Sequence, residues 1–568
     1  MILAAMTSAT RIPAALPLLA ARDLAAPLAW RRGVPVSAAQ FLGEAKRLAL
    51  ALPAQGQPIN LCQDRYRFAL GLAAALLRGQ TSLMPPNALP DTLRALHSAG
   101  AAPGERAYAL VDDAALDVGG LQRVFVDVPV NSTAATEVPL IPATLEAVRL
   151  LTSGSTGAPQ PHGKSWGALV LNIAAEAERL AALCGWPSLL GLNVLATVPA
   201  QHSYGLESTV MLALLGGASF DAGRPFFPAD IAAALAEVPA PRALVTTPFH
   251  LKTLMRAGVA LPQVQLLLSA TAPLSPQLAQ QAEAVCRGRL VEIYGCTEAG
   301  QVATRRTTAG ETWHTLGALR LWREGAGDGT ERFMVQGGHV LEATPLADVL
   351  ELHDEHHFRL LGRANDLIHV AGKRSSLAHL DFQLNRIPGV DDGAFWMPPE
   401  QADGITRPVA FVVAPTLSAR QVMEALREPL EAAFVPRRVV HVPALPREAT
   451  GKLTAHALAR FARDALAEGG HFHVPADHPA FAGHFPGQPV LPGVALLSLV
   501  MRALQARPEL QARLGPTPQI AQVKFLSAVL PGNDLQVQLQ AQGSGVAFEV
   551  LRQGQAVAKG QWAPGVGE

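Results

Sequence analysis

Short apolar runs alternate with longer segments of helical periodicity in the first part of this chain. The runs Pro58–Cys62, Thr81–Met84 and Ala107–Val111 have the length and character of buried strands. The segments Tyr66–Leu77 and Leu89–Ser98 between them have the apolar spacing of helices. This alternation predicts an α/β fold with a mainly parallel sheet and helices on both of its faces.

The same alternation resumes further along the chain. Four apolar runs predict strands: Asn193–Val198, Ala243–Thr247, Gln265–Ser269 and Leu290–Tyr294. Ligands of open α/β sheets bind at the carboxyl ends of the strands. We therefore expect the functional residues directly after these runs.

A loop rich in glycine and hydroxyl groups lies between the predicted strand Val148–Leu151 and the predicted helix Lys164–Leu183. Glycines let backbone N–H groups approach an anion, and serine and threonine hydroxyls add further donors. A flexible surface turn is the alternative interpretation. The residues of the predicted phosphate loop are Thr152, Ser153, Gly154, Ser155, Thr156 and Gly157.

A second phosphate motif overlaps this loop. Residues 158–165 read A-P-Q-P-H-G-K-S, which lacks only the first glycine of the Walker pattern Gly-x-x-x-x-Gly-Lys-Ser/Thr. That glycine makes the tight turn of a P-loop, and Pro159 and Pro161 each lack a backbone N–H donor. We therefore disfavour a P-loop.

Polar motifs follow the later strands, as expected. Taken singly, each motif can equally be explained as a core histidine, a turn or a solvated charge. Taken together, their order and spacing are specific. They are Pro199–Gly205, Ser269–Leu274, Tyr294–Glu298, Asp348, Leu361–Asp366, Gly372–Arg374 and Pro446–Leu453.

Over residues 1–465 this series resembles the adenylate-forming superfamily of acyl- and aryl-CoA synthetases, adenylation domains and luciferases. Such enzymes activate a carboxylic acid with ATP and Mg²⁺, forming an acyl-adenylate and pyrophosphate. They then pass the acyl group to a thiol, that of coenzyme A or of the phosphopantetheine of an acyl carrier protein. The resemblance implies a large N-terminal domain at 1–364 and a small mobile α+β lobe at 365–465.

The resemblance also implies roles for individual residues. Thr152 to Gly157 would bind phosphate and Thr297 would contact the α-phosphate. The adenine and ribose sites would be lined by Ala272, Pro273, Tyr294, Asp348 and Arg363. The catalytic candidates would be Glu298 as the Mg²⁺ ligand, Lys452 as the mobile lysine between carboxylate and α-phosphate, and His202, with Asn365 as the hinge.

Two details concern the phosphate loop and the acyl pocket. The family often has Pro-Lys-Gly after the loop, whereas Gln160 stands at the lysine position, so Lys164 is the candidate replacement.

Tyr204 and Ser208 match positions that line the acyl pocket of hydroxycinnamate ligases, although both could merely pack against a core. We expect an aromatic acid as the substrate, with a medium-chain fatty acid as the rival.

A composition break at Gly469-Gly470 opens a further domain, 470–568. It contains Gly-His-Phe-Pro around His484 and Pro-Gly-Val around Gly493, and it resembles the hotdog-fold 3-hydroxyacyl-carrier-protein dehydratases. The resemblance implies an α+β domain that pairs as a homodimer. It also makes His484 the catalytic base and places Gly493 at a helix start that polarises the thioester carbonyl.

The acid that completes such a dehydratase site is missing. It would lie six residues after Pro492, where this chain has Ser498, and no Asp or Glu occurs between His478 and Pro508. Serine is a poor proton donor at neutral pH. We expect a slow dehydratase, and the alternative is a domain that only dimerises and docks a carrier protein.

Composition restricts the partners and the cellular location that we expect. Lys+Arg and Asp+Glu are equal at 46 each, which argues against nucleic acid or an anionic membrane as partner. No apolar run is long enough to span a bilayer, and prolines interrupt the apolar segment Ile12–Ala21, so we expect neither a transmembrane segment nor a signal peptide. The four cysteines have neither metal-ligand nor disulfide spacing, which fits a cytoplasmic protein.

Overall fold

The structure is a computed structural model. It describes residues 12–85, 88–89, 92–94, 96, 107–127, 133–153, 159–325, 331–363, 367–370, 373–398, 407–436, 438–447, 453–466, 471–475, 478–481, 489–505, 507–515, 517–552 and 555–565. The chain divides into two compact units, Met1–Leu453 and Thr454–Glu568. No helix of the described residues is long and apolar enough to cross a membrane.

The first unit contains a six-stranded sheet. All neighbouring strands are parallel except the first two, which form an antiparallel pair at one edge. In spatial order the strands are Pro159–Ser165, Glu146–Ser153, Ser82–Met84, Gln57–Asn60, Ala107–Val111 and Gln122–Phe125.

An eleven-stranded sheet forms the other large layer of this unit. Its six strands from Arg289–Cys296 to Pro27–Arg31 are parallel, and the strands outside them pair antiparallel. In spatial order the strands are Asp348–Leu352, His357–Arg363, Trp313–Thr315, Gly300–Arg305, Arg289–Cys296, Leu266–Ser269, Arg242–Thr246, Asn193–Ala196, Ser219–Asp221, Pro27–Arg31 and Val34–Ser37. The predicted α/β alternation is confirmed, but its strands are shared between two sheets.

Helices cover these sheets and bury mainly Leu, Ala, Val and Phe side chains against them. Their starts follow capping rules: Ser37, Asp64, Ser165 and Ser275 each accept a backbone N–H bond with the side chain. The helix predicted at Leu89–Ser98 is described only at residues 89, 92–94 and 96, of which the last four are helical. The helices are Ala38–Ala51, Arg65–Leu77, Trp166–Cys184, Ser203–Gly205, the π-helical turn Leu206–Met211, Leu212–Leu215, Pro228–Glu237, Pro248–Ala257 and Pro276–Cys286.

The remainder of the first unit is built from small sheets. A two-stranded sheet joins Ala15–Pro17 to Leu140–Pro142, and a three-stranded one contains Arg320–Gly325, Glu331–Gly337 and Val340–Leu346. The α+β segment that follows has the strands Leu367–Val370, Lys373–Ser376, Asp392–Trp396, Val409–Val413 and Val439–His441 and the helices Leu377–Asn385 and Ala419–Leu426.

The second unit has one antiparallel sheet and a helix packed on it, the arrangement expected of a hotdog domain. The helix Gly493–Gln505 buries Leu496, Val500 and Leu504 in a core shared with the sheet. The strands in spatial order are His471–His473, Asp534–Gln542, Gly545–Arg552, Gln555–Ala563 and Gln519–Phe525, and the other helices are Ala455–Leu466, the 3₁₀ turn Pro479–Phe481 and Pro508–Leu514.

Candidate functional site

The predicted phosphate loop connects two antiparallel strands. Ser153, at the end of Glu146–Ser153, pairs with Pro159, at the start of Pro159–Ser165. The prediction that a helix begins at Lys164 is wrong: the helix begins at Trp166, with Ser165 as its cap. Prolines at alternate positions favour an extended edge strand, where a missing N–H costs no ladder bond.

Thr152 and Ser153 therefore end the first strand of this hairpin. The rest of the predicted loop, Gly154, Ser155, Thr156 and Gly157, lies outside the described residues. The hairpin also removes the P-loop alternative, because residues 159–165 are a strand and not a turn before a helix.

Lys164 points from this strand toward the Tyr294–Glu298 motif. Its Nζ donates a 2.6 Å hydrogen bond to the backbone carbonyl of Glu298. Burial lowers the pKa of Lys164, while the carboxylate of Glu207 and the nearby Cys296 and Glu298 oppose that shift. Lys164 thus lies beside the predicted metal ligand, and on the hairpin it pairs with Val148, four residues before Thr152.

Glu298 presents an accessible carboxylate. Its side chain is 46% exposed, and His162 Nε2 lies 3.9 Å from its Oε1. His162 and Lys164 are two residues apart on the edge strand, so both side chains lie on the face toward Glu298. Magnesium in nucleotide sites commonly takes one or two carboxylates together with substrate phosphates, so Glu298 fits the role of a Mg²⁺ ligand.

The other predicted residues lie, as expected, at one edge of the large sheet. They follow the carboxyl ends of three strands from the parallel part of the sheet. His202 and Tyr204 come after Asn193–Ala196, Ala272 and Pro273 come after Leu266–Ser269, and the Tyr294–Glu298 motif begins within Arg289–Cys296. His202 precedes the short helix Ser203–Gly205. Thr271 adopts a left-handed φ of 79°, which is strained for a β-branched residue and is typical of functional turns.

Two residues assigned to the nucleotide site contact each other directly. The Tyr294 hydroxyl donates a 2.7 Å hydrogen bond to Asp348 Oδ2. The Tyr294 ring is buried against Trp313 and Phe358, with centroids 5.8 and 5.7 Å away. Asp348 pairs across the strands with Arg363, so the backbone also brings these two predicted ribose-site residues together.

Two further members of the ligase site lie outside the described residues: the hinge Asn365 and the mobile Lys452. The catalytic base of the second unit, His484, does so as well.

The central helix of the second unit begins at Gly493, as predicted. A β-carbon at this position would lie 2.6 Å from the tip of the Phe525 ring, so glycine permits the close approach of the helix start and that side chain. Ser498 is exposed on the same helix, and its hydroxyl donates a 3.0 Å hydrogen bond to the Val494 carbonyl. That bond engages the only proton that Ser498 could offer.

The predicted acyl-pocket residues belong to a helix with a π-helical turn, a feature that often marks functional sites. The half-buried Tyr204 donates a 3.1 Å hydrogen bond to the Thr246 carbonyl. Ser208 is fully buried, donates to Glu176 Oε1 at 2.8 Å and accepts from Gln301 Nε2 at 2.9 Å. Ser208 is therefore part of a polar network and not a simple packing residue.

A second group of buried polar residues surrounds Gly300. A β-carbon there would lie 3.3 Å from Asn172 Nδ2, 3.5 Å from Glu207 Oε1 and 3.7 Å from His339 Nε2. Glu207 also accepts a 3.1 Å hydrogen bond from Ser203. Together with the Ser208 network, this group makes the interior beside the strand Gly300–Arg305 polar.

Burial controls the protonation of this interior. It raises the pKa of Glu176 to about 8, against the opposing effect of the Ser208 and Gln301 side chains. It raises the pKa of Glu207 to about 6, with Lys164 as the main opposing charge. It lowers the pKa of His339 to about 4, and Lys164 adds to that effect. At neutral pH Glu176 and His339 are therefore uncharged.

This polar interior was not predicted from the sequence. The available signal was the position of Asn172 and Glu176 within the apolar stripe of the helix Trp166–Cys184, between Val170 and Leu180. A carboxylate at such a position is rarely buried unless it has partners. Gln301 and His339 come from distant strands, and no local pattern marks them.

Comparisons with known proteins agree with this geometry. Residues 127–319 match the family model described as AMP-binding enzyme, and residues 383–452 match the AMP-binding enzyme C-terminal domain. A 4-coumarate–CoA ligase of Halorhodospira halophila is 31% identical over 313 residues, which are 53% of this chain and 73% of that protein. The chain belongs to the AMP-binding enzyme family. It carries an acyl- or aryl-CoA ligase-type adenylation domain.

The solved structures of AMP-binding enzymes share this fold. ATP-bound MatB from Rhodopseudomonas palustris superimposes with a TM-score of 0.65 at 19% identity, covering 78% of this chain and 97% of that one. Beyond the adenylation domain, residues 467–561 match the ApeI dehydratase model. A 3-hydroxyacyl-(acyl-carrier-protein) dehydratase FabZ of Moorella thermoacetica is 39% identical over 64 residues, 11% of this chain and 45% of that protein. The AMP-binding domain is thus followed by a dehydratase-type hotdog domain.

Proposed function

We propose that this chain activates a carboxylic acid with ATP to an acyl-adenylate and transfers the acyl group to a thiol. The observation that carries the proposal is the hydrogen bond from Tyr294 to Asp348. A carboxylate held by such a donor is oriented to accept hydrogen bonds from ribose hydroxyls. The relatedness to 4-coumarate–CoA ligases supports the same conclusion.

Each residue of the site has its own role in adenylate formation. The attacking carboxylate and the α-phosphate are both anionic, so positive charge must stabilise their approach. Glu298 would hold Mg²⁺, which together with the ammonium of Lys452 would supply that charge, and Thr297 would contact the α-phosphate. The loop Thr152 to Gly157 would hold the remaining phosphates, and Lys164 would lie beside the metal ligand Glu298. Arg363 assists Asp348, and His202, Ala272 and Pro273 complete the site.

We further propose three functional domains, 1–364, 365–465 and 470–568, with Asn365 as the hinge of the second. Rotation of that lobe would bring Lys452 to the carboxylate for adenylation and withdraw it for thiol transfer. Two contacts hold the lobe against the helix Pro248–Ala257 in the present arrangement. They are a 3.2 Å hydrogen bond from Lys252 to the Val390 carbonyl and an ion pair between Arg256 and Asp391.

The acid we favour is aromatic. The support is the relatedness to 4-coumarate–CoA ligases, together with Tyr204 and Ser208 at the positions expected for the acyl pocket. The alternative is a medium-chain fatty acid, but the polar network around Ser208 is a poor partner for a purely apolar chain.

The hotdog domain would dehydrate 3-hydroxyacyl thioesters slowly, with His484 as the base and the helix start at Gly493 polarising the thioester carbonyl. The engaged hydroxyl of Ser498 supports a low rate, because its proton is already donated to the Val494 carbonyl. The domain would pair as a homodimer. The alternative is a loading protein whose hotdog domain only dimerises and docks a carrier protein.

Both activities would serve a polyketide-type assembly that makes aryl polyenes, in which an aryl starter is activated and each 3-hydroxyacyl chain is dehydrated. A screen of aromatic and fatty acids, each with coenzyme A or with an acyl carrier protein as acceptor, tests this function. We expect thioester formation, detected by mass, with an aromatic acid. Thioester formation only with fatty acids would contradict the substrate assignment, and no thioester with any acid would contradict the function.

A further inference from the structure

Two histidine side chains face each other across neighbouring strands near one edge of the large sheet. His314, in the strand Trp313–Thr315, is the direct cross-strand partner of His357, which begins the strand His357–Arg363. Directly opposed residues of an antiparallel pair have their side chains on the same face. The two imidazole rings are accordingly in contact, with centroids 4.5 Å apart and ring planes at 87°. The ligase chemistry proposed above does not use this pair.

Hydrogen bonds fix which ring nitrogen of each histidine carries the hydrogen. His314 Nδ1 lies 2.8 Å from the carbonyl oxygen of Thr315, and His357 Nδ1 lies 2.9 Å from Oδ2 of Asp354. Carbonyl and carboxylate oxygens only accept hydrogen bonds, so Nδ1 is the donor in both rings. In the neutral rings the lone pair is therefore on Nε2, which is the atom that can bind a metal ion.

The Nδ1 partners are of the kinds that metal-binding histidines have. Such histidines almost always donate their second ring N–H to a carboxylate or a backbone carbonyl, which fixes the tautomer and orients the ring. Asp354 and the Thr315 carbonyl provide one partner of each kind. Asp354 is itself held in place, because its Oδ1 accepts the backbone N–H groups of His356 and His357 at 2.7 and 2.8 Å. Both rings are thus oriented by fixed neighbours.

The separation of the rings matches that of two imidazoles bound to one ion. Metal–nitrogen bonds of about 2.0–2.1 Å that meet at about 90–110° place the ring centroids about 4.5–5.2 Å apart. The alternative is edge-to-face stacking of the rings without an ion, which gives a similar contact. Within the described ranges, no group of three or more His, Cys, Asp or Glu side chains is arranged to hold a metal ion. Water would therefore occupy the other coordination positions.

The ligand type and the position of the pair restrict the ion. Imidazole suits Zn²⁺, Cu²⁺ and Ni²⁺, whereas Mg²⁺ prefers oxygen ligands. The strand that begins at His357 ends at Arg363, which we assign to the ribose. Its seven residues place the histidine pair about 20 Å along the strand from the nucleotide site. An ion bound here is separate from the Mg²⁺ that we assign to Glu298.

We propose that His314 and His357 bind one divalent transition-metal ion, with Zn²⁺ as the representative, through their Nε2 atoms. The ion cross-links the strands Trp313–Thr315 and His357–Arg363, and only Asp348–Leu352 lies between them and the edge of the sheet. Because both ligands are brought together only when the strands are paired, the ion should oppose the local opening of this pair. This inference is independent of the proposed function.

The test is Zn²⁺ binding by the full chain after removal of metals with a chelator. Equilibrium dialysis should show that the wild type binds one ion more than His314→Asn or His357→Asn. Hydrogen exchange followed by mass spectrometry localises the ion. Zn²⁺ at about 100 times its Kd should slow amide exchange in residues 313–315 and 357–358 by up to about 100-fold, and Mg²⁺ should not. Exchange of each variant without metal shows whether the strand pair has formed.

Asp354→Asn tests the support of the His357 ring. The variant can keep the backbone hydrogen bonds but loses the second carboxylate oxygen, and it should weaken Zn²⁺ binding about 10–100-fold. His356→Gln is the matched control. The neighbouring His356 ring is directed to the Leu319 carbonyl, 2.9 Å from its Nδ1, so its loss should change neither the number of bound ions nor the local protection.

Equal numbers of bound ions in the wild type and in both histidine variants would overturn the inference. Zn²⁺ binding that leaves exchange of the two strands unchanged would overturn it as well. Either result would favour edge-to-face stacking as the explanation of the contact. A loss of Zn²⁺ affinity in His356→Gln as large as that in His357→Asn would contradict the assignment of the ligands.

Discussion

The Tyr294 hydroxyl and the Asp348 carboxylate form a 2.7 Å hydrogen bond that joins two separate parts of the large sheet. Tyr294 lies in the strand Arg289–Cys296, and Asp348 begins an edge strand that is separated from it by three other strands. The bond fixes one carboxylate oxygen of Asp348. It thereby orients the group that we assign to the ribose.

Removing this donor should weaken nucleotide binding. Tyr294→Phe keeps the ring against Trp313 and Phe358 but loses the bond, and hydrogen bonds to charged groups are worth about 1.5–3 kcal/mol. We expect KM for ATP to rise roughly 10- to 100-fold while KM for the acid changes little. Steady-state kinetics with each substrate varied in turn measures both values.

Tyr66→Phe is the matched control, since the Tyr66 hydroxyl also donates to a carboxylate, Glu44, at 2.8 Å. That pair lies in the core away from the sheet edge, so its loss should lower the melting temperature without raising KM for ATP. A Tyr294→Phe enzyme with unchanged KM for ATP would argue against Asp348 as the ribose ligand.

The two half-reactions should separate in a Lys452 variant. Lys452→Ala should abolish adenylate formation and largely spare thioester formation from a synthetic acyl-adenylate, because the lobe moves this lysine away before thiol transfer. Single-turnover assays of each step measure the effect. Arg420, which forms an exposed ion pair with Glu424 in the same lobe, offers a control: Arg420→Ala should affect neither step. Equal loss of both steps in Lys452→Ala would contradict the division of labour.

Restoring an acidic residue should raise the rate of dehydration by the hotdog domain. Ser498→Glu in the full chain should raise the dehydration of a 3-hydroxyacyl carrier-protein thioester by about 10²–10⁴-fold, the usual contribution of a general acid. His484→Ala should abolish activity in either background. Formation of the enoyl thioester, followed by mass, measures the rate.

Gln505→Glu supplies the control for added charge, because Gln505 is exposed on the same helix. It should leave the rate unchanged. Inactivity of the wild type and of Ser498→Glu would favour the docking alternative, and full speed in the wild type would show that another group supplies the proton.

Stability should depend on pH through Glu176. Its pKa is raised from 4.5 to about 8 in the folded chain, so between these values the folded state holds a proton that the unfolded state has lost. Stability must therefore fall as pH rises through this window, by about 1.4 kcal/mol per pH unit for a single group. Glu176→Gln removes the dependence. Comparing urea midpoints of wild type and variant at about pH 5 and pH 8 tests this, and parallel changes in both proteins would contradict it.

Local sequence patterns predicted the elements well and the connections less well. Strands such as Ala107–Val111 and the helix start at Gly493 agree with the sequence because apolar runs and glycine act locally. The hairpin after Ser153 was missed, since pairing of Pro159–Ser165 with Glu146–Ser153 depends on a partner strand. The distribution of strands over two sheets is equally a matter of tertiary packing.

Some residues of the candidate site could be predicted from the sequence and others could not. Tyr294, Asp348 and Glu298 could be identified because they occur in motifs directly after or within strands. Their mutual distances could not, because Asp348 reaches Tyr294 through antiparallel pairing of strands separated in sequence. Gln301 and His339 were not predicted at all, because the atoms of a buried polar network come together only in the folded chain.

The activation of a carboxylic acid by adenylation is tested most directly by identifying the products from ATP. The full chain is incubated with ATP, Mg²⁺ and a carboxylic acid, with hydroxylamine to trap the acyl-adenylate, and the nucleotides are separated. We expect AMP, pyrophosphate and acyl hydroxamate in equal amounts, and none of them without the acid. Release of ADP and phosphate, or AMP formation that does not depend on the acid, would contradict it.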